Sequence, residues 1–212
     1  MKTSSRVELL VLLVIGAAVL VWSGINPHDR TTWWLEVVPV LIGVPVLALT
    51  RKRFPLTALT YRLIFVHAII LMVGGHYTYA RVPLGFWAQD LLGFGRNHYD
   101  RLGHLAQGFV PAILAREILI RTSPLKGGKW LPVVVTSICL AFSAFYEFTE
   151  WWAALLGGEA ATDFLGTQGD VWDTQWDMFL AFCGAVLAQL LLARVHDHQL
   201  APQNVGRADH AD

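Results

Sequence analysis

Three aspartates stand within eight residues in Asp170-Val-Trp-Asp-Thr-Gln-Trp-Asp177, directly before the apolar run Met178–Ala193. Taking a carboxylate out of water is costly unless a partner compensates it. Polar groups of the same kind recur at His76 in "GGHYTYAR", Asp100 and His104 in "HYDRLGH", and Glu147 and Glu150 in "YEFTEWW". On a helix, residues three or four apart share a face, so Asp100 with His104, Glu147 with Glu150, and Asp173 with Asp177 each aim two side chains at one point. Gln107, Gly108 and Pro111 continue the face that Asp100 and His104 begin. Carboxylates joined by one or two imidazoles, without thiolates, form a ligand set for Zn, Mg, Mn or Fe ions. Helix bundles that hold metals build their centres in this way. The set predicts a divalent metal ion as cofactor. Asp100, His104, Asp173, Asp177 and His76 are its candidate ligands, and Glu147, Glu150 and Asp170 are candidate catalytic carboxylates.

Each residue also has a plainer role open to it. Asp170 can cap a helix and Asp173 can complement its N-terminal dipole. Glu147 and Glu150 can pair with Arg81 or Arg101, and His104 can be a satisfied core histidine. His76 lies between aromatic neighbours near a helix end, where a structural role is as natural as ligation. His67 is expected to pack against a neighbouring helix, His98 to lie in a loop, and His196 and His198 to be solvated.

The elements that must position these residues are apolar and long. The 212-residue chain is 55% hydrophobic and 15% charged, with 16 basic and 16 acidic residues and a mean hydropathy of +0.48. Balanced charge gives no electrostatic basis for nucleic-acid binding. Apolar runs cover Leu9–Ile25, Trp33–Leu49, Leu56–Ala80, Leu105–Ile120, Leu131–Leu155 and Met178–Ala193. Several approach the roughly 20 residues that cross a bilayer core. The fourth reaches that length by including Tyr99–His104. The expected fold is all-α: a polytopic membrane helix bundle of about six transmembrane helices, one domain over residues 1–198, with residues 199–212 as a polar, disordered cytoplasmic tail. Cys139 and Cys183 lie inside apolar runs and read as small fillers, with a disulfide as the alternative.

Orientation follows from basic residues. With the N-terminus inside, the inner segments hold Lys2, Arg6, Arg51, Lys52, Arg53, Arg62, Arg116, Arg121, Lys126, Lys129, Arg194 and Arg207, and the outer segments only Arg30, Arg81, Arg96 and Arg101. Both termini are therefore expected in the cytoplasm. The polar groups at the ends of helices three to six all fall at the outer level. The acids of the outer segments, Asp29, Asp90, Glu159 and Asp163 among them, outnumber the four arginines there. Leu84–Leu92, with Phe86 and Trp87, is expected to lie along the interface.

The run "GGHYTYARVPLG…FGRNHYDRLGHLAQGFVPAILAREIL", with "FYEFTEWW" and "FLGTQGDVWDTQWDM", resembles YjdF-type bacterial inner-membrane proteins, a family of unknown function. The resemblance spans roughly residues 10–195 and implies a multi-pass protein of the bacterial inner membrane. It carries no activity or cofactor with it. A weaker likeness is to VanZ-like membrane proteins, through Asp100-Arg-Leu-Gly-His104, Glu147 with Glu150, and Asp173 or Asp177; Met178-Phe179 departs from that pattern.

Three functions fit these residues. One is a metal-dependent hydrolase acting on a lipid or envelope precursor at the outer leaflet, although no HExxH or G-x-S-x-G motif is present. Another is a proton- or ion-coupled transporter, for which six helices suffice if the chain forms a homo-oligomer. It fits less well, because charge is expected to stay at the outer end. The third is an accessory protein whose charged groups form a structural ion-pair network. The excess of outer acids over arginines favours a cation. Membrane lipids are the expected partners.

Overall fold

In the computed structural model, residues 4–125, 127–157 and 167–208 are described. Lys126, Glu159 and Asp163 lie outside them. The described residues form seven α-helices: α1 (Arg6–Gly24), α2 (Arg30–Thr50), α3 (Ala58–Tyr77), α4 (Pro83–Leu92), α5 (Tyr99–Thr122), α6 (Trp130–Gly157) and α7 (Asp173–Ala208), with a short 3₁₀ turn at Tyr79–Arg81. Their starts are marked in the sequence. Ser5, Asp29 and Thr57 cap α1, α2 and α3 by accepting from the amides of Glu8, Thr32 and Thr60, and Pro83 occupies the first turn of α4. Helix α4 presents Leu84, Phe86, Trp87, Leu91 and Leu92 outward, as an interfacial helix does.

Helices α1, α2, α3, α6 and α7 are each long and apolar enough to cross a membrane. The expected sixth crossing, α5, differs in character. Its 24 residues extend about 36 Å, yet they include Asp100, Arg101, His104, Arg116, Glu117 and Arg121. This charge is tolerated because α5 is packed among α3, α6 and α7 rather than turned to lipid.

Lipid supplies little hydrophobic drive for helix association, so close approach through small residues matters more. Helix α7 carries Ala181, Gly184, Ala185 and Ala188 along one face, and all three alanines are fully buried. A Cβ on Gly108 would collide with the Ala181 carbonyl, and one on Gly184 with the Leu105 carbonyl. Both glycines are therefore required by the backbone contact of α5 with α7. Ala112, Ile113, Leu131, Val135 and Cys139 extend this core to α6. A second core of Trp33, Val37 and Met72 joins α1, α2 and α3. Cys139 and Cys183 are free thiols.

At the end of the bundle where α5 and α7 finish and α3 starts, a buried polar network closes on Glu117. Its carboxylate accepts from the Thr57 amide at 2.9 Å and from the hydroxyls of Thr57 and Thr60 at 2.9 and 2.7 Å. Arg121 donates at 2.9 Å, and His196 Nε2 lies 3.2 Å away. Arg116 reaches His196 Nδ1 at 3.1 Å and Asp197 at 2.7 Å. Two sequence expectations fail here. His196 is fully buried rather than solvated, because α7 continues past it and returns it to Glu117. Charge is not confined to the opposite end of the bundle either. Helix α7 also runs through residue 199: Gln199 accepts from the Leu59 amide and Leu200 is buried.

Candidate metal centre

The opposite end gathers the acidic residues. Asp100 and His104 come from the first turns of α5, Glu147 and Glu150 from the last turns of α6, and Asp173 and Asp177 from the first turns of α7. All six are buried, Asp177 to 2% exposure and Asp100 and Glu147 to 7%.

His104 is the hub. Its Nε2 lies 3.6 Å from Asp100 Oδ1 and 3.9 Å from Asp177 Oδ2, and its Nδ1 lies 3.8 Å from Glu147 Oε1. Asp100, His104 and Asp177 can place ligand atoms within 4.8 Å of one another, as can His104, Glu147 and Glu150. These groups could hold a metal ion. Nδ1 also lies 3.1 Å from Gln107 Oε1. A carbonyl oxygen only accepts, so in the neutral ring Nδ1 carries the proton and Nε2 turns its lone pair toward Asp100 and Asp177. Separations of 3.6 and 3.9 Å are too long for hydrogen bonds. They are close to the roughly 3.4 Å between ligand atoms on a tetrahedron with metal–ligand distances near 2.1 Å. Asp100 Oδ2, Glu147 Oε1 and Asp177 Oδ1 are buried without a hydrogen-bond partner. Such groups are rare in native proteins, and an ion is one established reason for them.

The remaining candidates fall elsewhere. Asp170 is bound by Arg101 at 2.7 Å and approached by Arg96 at 3.5 Å; its Oδ1 accepts from the Trp172 amide. That bond is an Asx turn in the loop before α7 and not a cap on the helix, whose first turn begins at Asp173. Asp173 accepts from Arg96 at 2.8 Å, so it sits between the ion-paired rim and the cluster. His76 does not reach the cluster: its Nδ1 lies 3.0 Å from the Ser23 carbonyl, and its ring packs 4.4 Å from that of Trp22. Glu147 and Glu150 form no described ion pair with Arg81 or Arg101; the guanidinium of Arg101 is on Asp170 and over the Trp176 ring at 5.2 Å.

Sequence reasoning did not place Glu36 on α2, which is 3% exposed, with the acid cluster. Tyr146 on α6 donates to its Oε2 at 3.0 Å. Burial, reinforced by the Glu36 charge, holds the Tyr79 phenol well above its ordinary range, so it stays neutral. Tyr146 also meets the His104 ring edge-on at 6.1 Å. A lone glutamate in "WWLEVVPV" was the available signal.

The loops on either side are locked together. Gln168 donates to the Asn97 carbonyl at 2.8 Å and accepts from its amide at 3.2 Å, while the Asn97 side chain donates to the Val82 carbonyl. Arg96 thereby stands beside Asp173 at the mouth of the cluster.

Comparison with known proteins places the molecule. The family described as "Predicted membrane protein (DUF2238)" matches residues 8–198. The chain belongs to the DUF2238 family. It is also 57% identical over 182 residues to the inner membrane protein YjdF of Escherichia coli (strain K12), covering 86% of this chain and 87% of that one. No solved structure matches. This DUF2238 member is thus an integral, multi-pass protein of the inner membrane, and the resemblance drawn from its motifs is borne out.

Proposed function

We propose that the acid end of the bundle faces the outer side of the membrane and binds a divalent cation through Asp100, His104 Nε2 and Asp177. There it would hydrolyse a lipid or a lipid-linked envelope precursor. The observation that carries this reading is the set of orphaned carboxylate oxygens on Asp100, Glu147 and Asp177 around one imidazole. One nitrogen among carboxylate oxygens suits Zn²⁺, Mn²⁺ or Fe²⁺ better than Mg²⁺, whose protein ligands are oxygens. The outer placement is supported by the excess of Lys and Arg at the opposite end.

When bound, such a cation lowers the pKa of a coordinated water and polarises the bond to be broken. The protein's own groups do the rest. Gln107 holds the imidazole tautomer and the α5–α7 contact fixes the ligands. Glu147 or Glu150 accepts a proton from the attacking water and returns it to the leaving group. The water oxygen bonds to the ester carbon or phosphorus as the leaving-group bond breaks. Lipid reaches this level of the membrane by lateral diffusion, which makes it the natural substrate class.

Elemental analysis of detergent-purified protein tests the reading. Wild type is expected to hold a single kind of metal at one or more equivalents. Asp177→Ala and His104→Ala should lose it while keeping their helicity, and wild type alone should turn over lipid esters or phosphoesters. Metal-free, folded wild type would overturn the reading. It would favour a structural ion-pair network instead, for which the Arg96 and Arg101 pairs with Asp170 and Asp173 speak.

A further inference from the structure

The same cluster holds more acid than one cation needs. This inference rests on the reading above that the acid end binds metal. Asp100 and Asp177 each turn one oxygen toward His104 Nε2, Asp100 through Oδ1 and Asp177 through Oδ2. The other oxygen of each, Asp100 Oδ2 and Asp177 Oδ1, is buried and unpartnered. That is the arrangement of a carboxylate with one oxygen committed to a first ion and the second free for another. On the far side of the imidazole lie Glu147 and Glu150, and Glu147 Oε1 is likewise buried and unpartnered, 3.8 Å from His104 Nδ1. Because Nδ1 is engaged with Gln107, the glutamates are not competing for the nitrogen that serves the first ion.

Charge points the same way. Arg96 and Arg101 neutralise the rim at Asp170 and Asp173. Deeper in, Asp100, Asp177, Glu147 and Glu150 are four acids around one imidazole. One dication offsets two of them; a second offsets the other two. Glu36, held by the Tyr146 hydroxyl, stands behind this set.

We propose that the centre is dinuclear, with a second divalent cation bound by Glu147 and Glu150 on α6 and with Asp100 or Asp177 shared between the two ions. A monodentate glutamate keeps one oxygen free, so the proton-accepting role assigned to this pair survives the binding of the second ion. Paired cations a few ångströms apart clamp both the attacking and the leaving oxygen of a displacement, which suits phosphate esters among the lipid substrates.

Manganese titration of chelator-stripped, detergent-solubilised protein distinguishes the possibilities. Wild type is expected to retain two equivalents of Mn²⁺ after desalting and to give a spin-coupled electron paramagnetic resonance signal. Glu150→Gln and Glu147→Gln should each retain one equivalent with an uncoupled signal. One uncoupled equivalent in wild type, unchanged by Glu150→Gln, overturns the second ion and leaves the first site standing. Two equivalents that survive both glutamine variants overturn the assignment to α6. No manganese bound to folded wild type overturns both readings. The wild-type stoichiometry decides even where a variant does not fold.

Discussion

Asp177 on α7 and His104 on α5 face each other at 3.9 Å, while the second oxygen of Asp177 is buried without a partner. The contrast with Glu117 at the other end of α5 is chemical. Glu117 is equally buried but receives hydroxyl, amide and guanidinium donors, which makes it a clamp. Asp177 is held in place by packing with one oxygen left unpartnered, as the proposed metal site requires.

Asp177→Asn should therefore separate stability from binding. With chelator present, replacing a buried carboxylic group that keeps one oxygen unpartnered is expected to raise the melting temperature of the variant above that of wild type. With metal present the order should invert, because ligand at one hundred times its Kd stabilises the native state by about 2.7 kcal/mol. Thermal melts in detergent with and without chelator check both signs. A variant less stable than wild type under both conditions would count against an unsatisfied site.

Glu117→Leu should do the reverse. It removes the buried carboxylate that Arg121 and His196 share with Thr57 and Thr60, and loss of one member of such a set costs on the order of 3–5 kcal/mol. A large drop in melting temperature, with metal content per folded molecule unchanged, is the expected result. Glu8→Ala, which breaks the solvent-facing pair with Arg62, should leave the melt where it is.

The α5–α7 contact can be tested through its glycines. Gly108→Ala drives a methyl into the Ala181 backbone carbonyl, which cannot rotate away, and overpacking of this kind costs about 1–3 kcal/mol. Since Gly108 lies one turn from His104, metal retention should fall with it. Gly43→Ala on α2 meets nothing within 4 Å and should be neutral or slightly stabilising by helix propensity. Melts and metal content of the pair measure the difference.

His76→Gln is expected to keep full metal content, because the ring of His76 contacts Ser23 and Trp22 rather than the acids. Metal analysis beside His104→Ala checks it. Loss of metal in both would return His76 to the ligand set.

Much of this site was legible before any helix was placed. The i, i+3 and i, i+4 pairs of Asp100 with His104, Glu147 with Glu150 and Asp173 with Asp177 lie on helix ends that a membrane forces to one level, so topology alone brings them near one another. Residues that rely on a partner far away in sequence were less visible. His196 reads as a tail residue until α7 is seen to continue and carry it to Glu117. Glu36 reads as an isolated glutamate until Tyr146, 110 residues away, donates to it.

From the sequence by itself came the class of the protein, its helices and the acid-rich end, because hydropathy, capping and helical spacing are local properties of the chain. Only the tertiary structure decided which acids are neutralised and which are left over. Arg96 and Arg101 choose Asp170 and Asp173, Ser23 takes His76, and the glycine-backed contact of α5 with α7 leaves Asp100, His104 and Asp177 facing one another. Those choices depend on distances of a few ångströms between helices far apart in the chain, and charge compensation is set at that range.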